Sequence, residues 1–175
     1  MYIRPLAPKD RLALSKILRQ RGTFNQKEVS VALELIDEVL SNRQGNSYHI
    51  YCACDEFDEP AGYICFGPIP MTDHCYDLYW IAVDERFARK GVGHALLAFM
   101  EDFALRQGIK RIYVETSSTP PYRAARAFYR KHRYDIVAVL TDFYRTGDHK
   151  MIFLRELAPD TSIMIGVSGE VREEG

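Results

Sequence analysis

Fifteen residues near the middle of the chain, VDERFARKGVGHALL from Val83 to Leu97, combine types suited to holding an anion. An apolar, strand-like run ends at Val83, a basic turn follows, and Gly91, Val92 and Gly93 lead into helical spacing. The first N–H groups of a helix have no partner within it, and the aligned peptide dipoles favour negative charge there. Glycine lets a backbone come close to a phosphate, and Arg89 and Lys90 add positive charge on the approach to His94. The pattern suits a pyrophosphate cradle, and equally a glycine-bearing helix start beside a solvated basic pair. A Walker loop is excluded, because no G-x-x-x-x-G-K-S/T run exists. A dinucleotide fingerprint is excluded too, since Leu96 stands where its third small residue belongs.

A second stretch, VETSSTPPYRAARAFYRKHRY from Val114 to Tyr134, places a carboxylate, Glu115, on a strand and a phenol, Tyr129, late in a helix. Another carboxylate, Asp77, opens the apolar run DLYWIAV. A charged group in a buried strand is costly without a partner. Each carboxylate therefore has either a proton to move or an ion pair to make, Arg111 being one neighbour at hand. Taken alone, Tyr129 reads as an amphipathic core residue. Phe143 and Tyr144 fall in TDFYRTGDHK, read as a loop, where the core gives little reason for aromatics.

These groups must be carried by a small domain. The chain has 175 residues with 23 basic and 24 acidic side chains, a net charge of −1, so no global field recruits nucleic acid or an anionic membrane. No run approaches the roughly 18 apolar residues of a membrane span, and MYIRPLAPKD lacks a signal-peptide core, so a cytoplasmic protein is expected. Cys52, Cys54, Cys65 and Cys75 lack zinc-site spacing, the five histidines are scattered, and no metal is expected. Cys52 and Cys54 share one strand face as small apolar residues.

Periodicity gives a short strand over 1–6 and a helix opening at Pro8 and Asp10 that runs to about Gln20, stopped by Gly22. After the GTFNQ loop, which contains Phe24, a helix covers 26–40. Strands over 48–54 and 61–66 form a hairpin about DEFDEP, and a buried strand covers 77–83. Gly91 and Gly93 open a further amphipathic helix, with Val92, Leu96, Phe99, Met100 and Phe103 inward and Gly108 as its stop. A strand over 111–115 precedes a helix from Pro121 with Ala124, Ala125, Phe128 and Tyr129 in a stripe. Strands over 134–140 and 150–154 close an α/β domain spanning 1–157, and 158–175 are expected to form a mobile tail.

Read together, the two motifs resemble the GNAT superfamily of acetyltransferases. Its phosphate loop has the pattern Gln/Arg-x-x-Gly-x-Gly/Ala after the fourth strand, here Ala88 to Gly93. Its second motif, Asn-x-x-Ala-x-x-Phe-Tyr-x-x-x-Gly-Phe/Tyr, runs here from Tyr122 to Tyr134, with Ala125, Phe128, Tyr129 and Tyr134 matching. The chain departs from it at Ala88, Tyr122 and Arg133. The resemblance implies a mixed, mostly antiparallel sheet with splayed fourth and fifth strands and about four helices. It implies acetyl-CoA as acyl donor, bound along Ile81, Ala82 and Val83 and at Arg89, Lys90, Gly91, Val92, Gly93 and His94. Tyr129 falls where family members place a phenol near the CoA sulfur. Glu115 corresponds to the fifth-strand glutamate of ribosomal-protein N-terminal acetyltransferases, and Asp77 to the fourth-strand glutamate of histone-type members. Glu115 is narrowly preferred as the base. Phe24 and Tyr144 are expected to line the site of the amine acceptor, and packing against the tail is the alternative for Tyr144. The competing reading is a catalytically weak domain that binds acyl-CoA as a sensor or interaction module, motivated by Ala88. A nucleic-acid-binding role ranks third. A homodimer is compatible with the sequence, which shows no interface for one.

Overall fold

The computed structural model describes residues 1–20, 24–41 and 47–157. Its strands are β1 (Tyr2–Pro5), β2 (His49–Cys54), β3 (Pro60–Pro68), β4 (Cys75–Val83), β5 (Arg111–Ser117), β6 (Asp135–Arg145) and β7 (Asp148–Glu156). They form one sheet in the order β1-β2-β3-β4-β5-β7-β6. Only the β4–β5 pair is parallel. The helices are α1 (Arg11–Leu18), α2 (Gln26–Leu40), α3 (Val92–Arg106) and α4 (Arg123–Lys131).

The helices lie on both faces, as the alternation of side chains along the strands requires. Leu14, Ile17 and Leu18 of α1 and Val29, Ala32, Leu33 and Ile36 of α2 pack on Ile50, Cys52, Cys54, Tyr63, Cys65 and Ala82. On the other face Val92, Leu96, Leu97 and Met100 of α3 and Tyr129 of α4 pack on Ile64, Phe66, Leu78, Ile112, Val114 and Phe153. Cys52, Cys54 and Cys65 are buried thiols, raised above their ordinary range by burial.

Local chemistry sets the boundaries. Asn25 caps α2, accepting from the Glu28 amide at 3.0 Å while Glu28 accepts from the Asn25 amide at 2.7 Å. Gly108, at φ +76, follows α3 in the left-handed region that ends many helices. At the far edge Asp58 accepts from Tyr2, Arg4 and Lys9, and Arg4 also reaches the buried Asp10 at 2.7 Å, fastening β1 to the β2–β3 turn.

The order of elements follows the sequence reading, with four differences. Residues 8–10 form a 3-10 turn before α1, and Pro120–Tyr122 form another before α4. Ala124 is exposed rather than part of the inward stripe. Residues 141–150 are not a loop: β6 runs on to Arg145 and β7 starts at Asp148. Asp142, at φ +52, interrupts the ladder there, and its side chain accepts the Gly147 amide at 2.8 Å across the turn. Gly22 as a helix stop, and the segment 158–175, lie outside the described residues.

Candidate active site

β4 and β5 pair in register only from Cys75 opposite Arg111 to Leu78 opposite Val114. Beyond that point β4 continues through Ile81, Ala82 and Val83 against β3 alone, and β5 continues through Glu115, Thr116 and Ser117 against β7 alone. A wedge therefore opens between two parallel neighbours, leaving backbone groups on the facing edges without strand partners. The register shift of β3 against β4 between Cys65 and Phe66 contributes, because an extra residue, Tyr79, bends β4 away.

The wedge opens toward the loop after β4. Ala88, Arg89, Lys90 and Gly91 are exposed there. Arg89 has φ +59 and Gly91 φ +84, so the chain turns sharply before Val92 starts α3. Among the described residues no side chain caps the helix, and none has an atom within 4 Å of where a Cβ on Gly91 would stand. Amides at Val92, Gly93 and His94 are the first of the helix and are free to meet an anion. Gly93 serves packing: a Cβ there would lie 3.2 Å from two atoms of the Phe128 ring, so its absence lets α3 and α4 approach. His94 Nδ1 is 3.1 Å from Nε2 of His132 at the end of α4. Both sequence motifs thus meet at one end of the wedge.

The titratable candidates lie on opposite faces. Tyr129 belongs to the α3–α4 core, between Tyr134 and Phe153 with ring centroids 5.9 and 5.7 Å away. Burial alone raises its phenol above the ordinary range, and its hydroxyl has no hydrogen-bond partner among the described residues. Arg126 braces α4, donating to the carbonyls of Ser117 at 2.7 Å and Thr119 at 2.8 Å, which fixes the helix to the end of β5.

Asp77 and Glu115 point to the α1–α2 face, since their strand neighbours Tyr76, Leu78 and Val114 belong to the other core. Asp77 is opposite Tyr113, so Glu115 stands two residues further along the same face. The two carboxylates differ in their surroundings. Glu115 is half-exposed and ion-paired with Lys150 of β7 at 2.6 Å. Asp77 is partly buried and has no ion-pair partner among the described residues, and its carboxyl is pushed up to about 6, by burial first and then by Glu115, against the effect of Lys150. The expected alternative partner for Glu115, Arg111, pairs with Glu156 instead at 3.3 Å.

Phe24 stands edge-on to Trp80 of β4 at 5.1 Å, on the face of Asp77. Tyr144 reaches the same side: burial, then Glu115, Asp148 and Glu28 raise its phenol. Phe143, beside it, lies under the Lys150 ammonium at 4.1 Å. Lys150 and Glu28 carry no local signal of a role, and only the strand register and the fold bring them here. Among the described residues no three His, Cys, Asp or Glu side chains gather as metal ligands, and no helix is long and apolar enough to cross a membrane.

Residues 13–134 match the model of the Acetyltransferase (GNAT) family. Among solved structures, one from Desulfovibrio desulfuricans, described as an acetyltransferase of the GNAT family, is 38% identical with a TM-score of 0.85, covering 90% of this chain and 99% of that one. An aminoglycoside 6'-N-acetyltransferase complexed with coenzyme A is 20% identical with a TM-score of 0.70, over 91% of this chain and 98% of that one. The ribosomal-protein-S18-alanine N-acetyltransferase from Escherichia coli is 19% identical with a TM-score of 0.70, over 93% and 97%. The last two share the fold. No curated protein matches the sequence.

Proposed function

The chain belongs to the GNAT acetyltransferase family, and from that premise we propose that it transfers the acetyl group of acetyl-CoA to a primary amine, with Asp77 as base and Tyr129 as acid. The observation that carries this reading is the break in β4–β5 pairing after Leu78, which ends at the free amides of α3. The unpaired edge at Ile81, Ala82 and Val83 suits the amide-bearing pantetheine arm. Arg89, Lys90, Gly91, Val92, Gly93 and His94 suit the pyrophosphate, since the space over Gly91 is open and both backbone donors and positive charge border it.

An aliphatic ammonium, with its pKa near 10, must lose a proton before its nitrogen can attack a thioester carbonyl. Asp77, ionised at neutral pH but poised near 6, is the better base of the two carboxylates. Glu115 is held by Lys150. As the amine nitrogen bonds to the acetyl carbon, the carbon–sulfur bond breaks and the departing thiolate takes the Tyr129 proton. Base and acid thus serve the wedge from opposite faces of the sheet. Phe24 and Tyr144 border the acceptor side, whose occupant is a small-molecule amine or a peptide N-terminus.

A thiol-release assay with acetyl-CoA and a panel of amines tests the proposal. Turnover that falls sharply at neutral pH in Asp77→Asn, and falls in Tyr129→Phe, supports it. Tight acetyl-CoA binding with no turnover of any amine would favour a sensor instead.

A further inference from the structure

Tyr122 stands where the family's second motif begins with Asn, and the chemistry above makes no use of it. It immediately precedes α4, and its hydroxyl donates to Glu28 Oε1 in the first turn of α2. The two residues are 94 positions apart, so this bond fastens α2, on the acceptor face, to the segment that follows β5. The other Glu28 oxygen accepts the Asn25 amide at 2.7 Å as half of the capping box. A glutamine would keep both contacts, its oxygen accepting the Asn25 amide and its NH2 group donating to the Tyr122 hydroxyl.

What a glutamine would lack is charge, and among the described residues no cation pairs with Glu28, which has only the first turn of α2 to favour its charge. Its two partners are neutral donors. The carboxylates near it are differently placed: Glu115 has Lys150 at 2.6 Å, and Asp148 has the Ser117 hydroxyl at 2.5 Å and Arg145 at 3.5 Å. Glu28 and Asp148 both act on the phenols of Tyr122 and Tyr144, which places the four groups in one neighbourhood. Two phenol rings beside a carboxylate that pairs with no cation among the described residues make a setting in which an ammonium gains from both charge and ring faces.

We propose that Tyr122 and Glu28 form the specificity-determining pair of the acceptor side, with Tyr122 holding the Glu28 carboxylate in place for a second positive charge on the amine being acetylated. The inference rests on the acetyl-transfer reading above and narrows it: the acceptor is a small diamine, one nitrogen deprotonated for attack and the other still an ammonium on Glu28.

The test compares 1,4-diaminobutane with n-butylamine as acceptors for the wild-type chain, Glu28→Gln and Tyr122→Phe. The diamine KM is expected to lie at least about tenfold below that of the monoamine in the wild type. Glu28→Gln should remove that advantage, leaving the monoamine KM, the saturated kcat and acetyl-CoA affinity nearly unchanged. Tyr122→Phe, which frees Glu28 without removing it, should lose part of the advantage. Calorimetric binding of both amines in the presence of CoA reads the subsite even where no acetyl moves. Diamine binding that depends on Glu28, with no turnover of either amine, would uphold the pair and overturn the transfer reading. Turnover of both amines at equal KM would uphold transfer and overturn the pair. An equal KM rise for both amines in Glu28→Gln would also overturn it, reducing Glu28 to a helix cap.

Discussion

Glu115 shares its charge with Lys150 across β5 and β7, while Asp77, on the same sheet face and one strand away, has no ion-pair partner among the described residues. The arrangement fixes the sign of three substitutions on the pH profile. Activity should fall on the acid side with an apparent pKa of about 6, as Asp77 takes up its proton. Glu115→Gln removes a charge that raises Asp77, so the acid limb should move to lower pH. Lys150→Met removes a charge that lowers it, so the limb should move up. Asp77→Asn should abolish the limb, with partial recovery at high pH where the free amine is abundant. A limb that persists in Asp77→Asn and vanishes in Glu115→Gln would return the base to Glu115.

Tyr129→Phe separates chemistry from packing. The ring stays between Tyr134 and Phe153, and the deleted hydroxyl has no hydrogen bond to lose. Thermal stability is therefore expected to change little, because the hydroxyl makes no hydrogen bond and is not among the buried unpaired polar atoms, which are those of Tyr63, Tyr134 and Arg155. Turnover should nonetheless drop about 10²-fold with acetyl-CoA affinity intact. Unchanged turnover would leave Tyr129 as a core residue and assign the thiolate's proton to water.

Much of this arrangement was legible in the sequence because local rules governed it. The apolar spacing of Val29, Leu33 and Ile36 marked α2, and the glycines at 91 and 93 marked the start of α3. The extent of β6 was not legible, since Thr141 to Arg145 are polar or aromatic and the turn depends on the strained Asp142 and on Gly147. Cross-strand partners were equally hidden. Nothing near Glu115 in sequence announces Lys150, which arrives through the antiparallel register of β7. The Tyr122–Glu28 bond had one visible trace, the tyrosine standing at the family's asparagine position, but its partner lies on another helix.

Acid should release the N-terminal strand first. Hydrogen bonds from Lys9, Tyr2 and Arg4 hold the Asp58 carboxyl far below its ordinary range. A carboxylate with a depressed folded-state pKa contributes stability above its unfolded value near 3.8, and that stability is lost as pH falls below it. Asp58→Asn keeps a side chain that tolerates φ +62 while removing the charge. It should lower Tm at pH 7, with the difference from wild type shrinking as both are titrated from about pH 4 toward pH 2. A difference independent of pH would mean that turn geometry, not charge, holds β1 in place.

The position of the wedge depends on a glycine outside both sequence motifs. A Cβ on Gly62 would lie 2.8 Å from the carbonyl oxygen of Ala82, on the stretch of β4 that has left β5. Backbone cannot step aside as a flexible side chain can, so Gly62→Ala must push β4 off β3. A cost of about 2 kcal/mol or more is expected, with weaker acetyl-CoA binding because the displaced edge is the one proposed to meet the pantetheine. Gly93→Ala meets instead the Phe128 ring at 3.2 Å, which can turn, so its cost should be nearer 1 kcal/mol. Its effect should fall on kcat through the tilt of α4 and Tyr129. Chemical denaturation of both variants, with titrations of acetyl-CoA and steady-state kinetics, measures each part. A Gly62→Ala variant that binds acetyl-CoA as the wild type does would show that the β4 edge is not where the pantetheine lies.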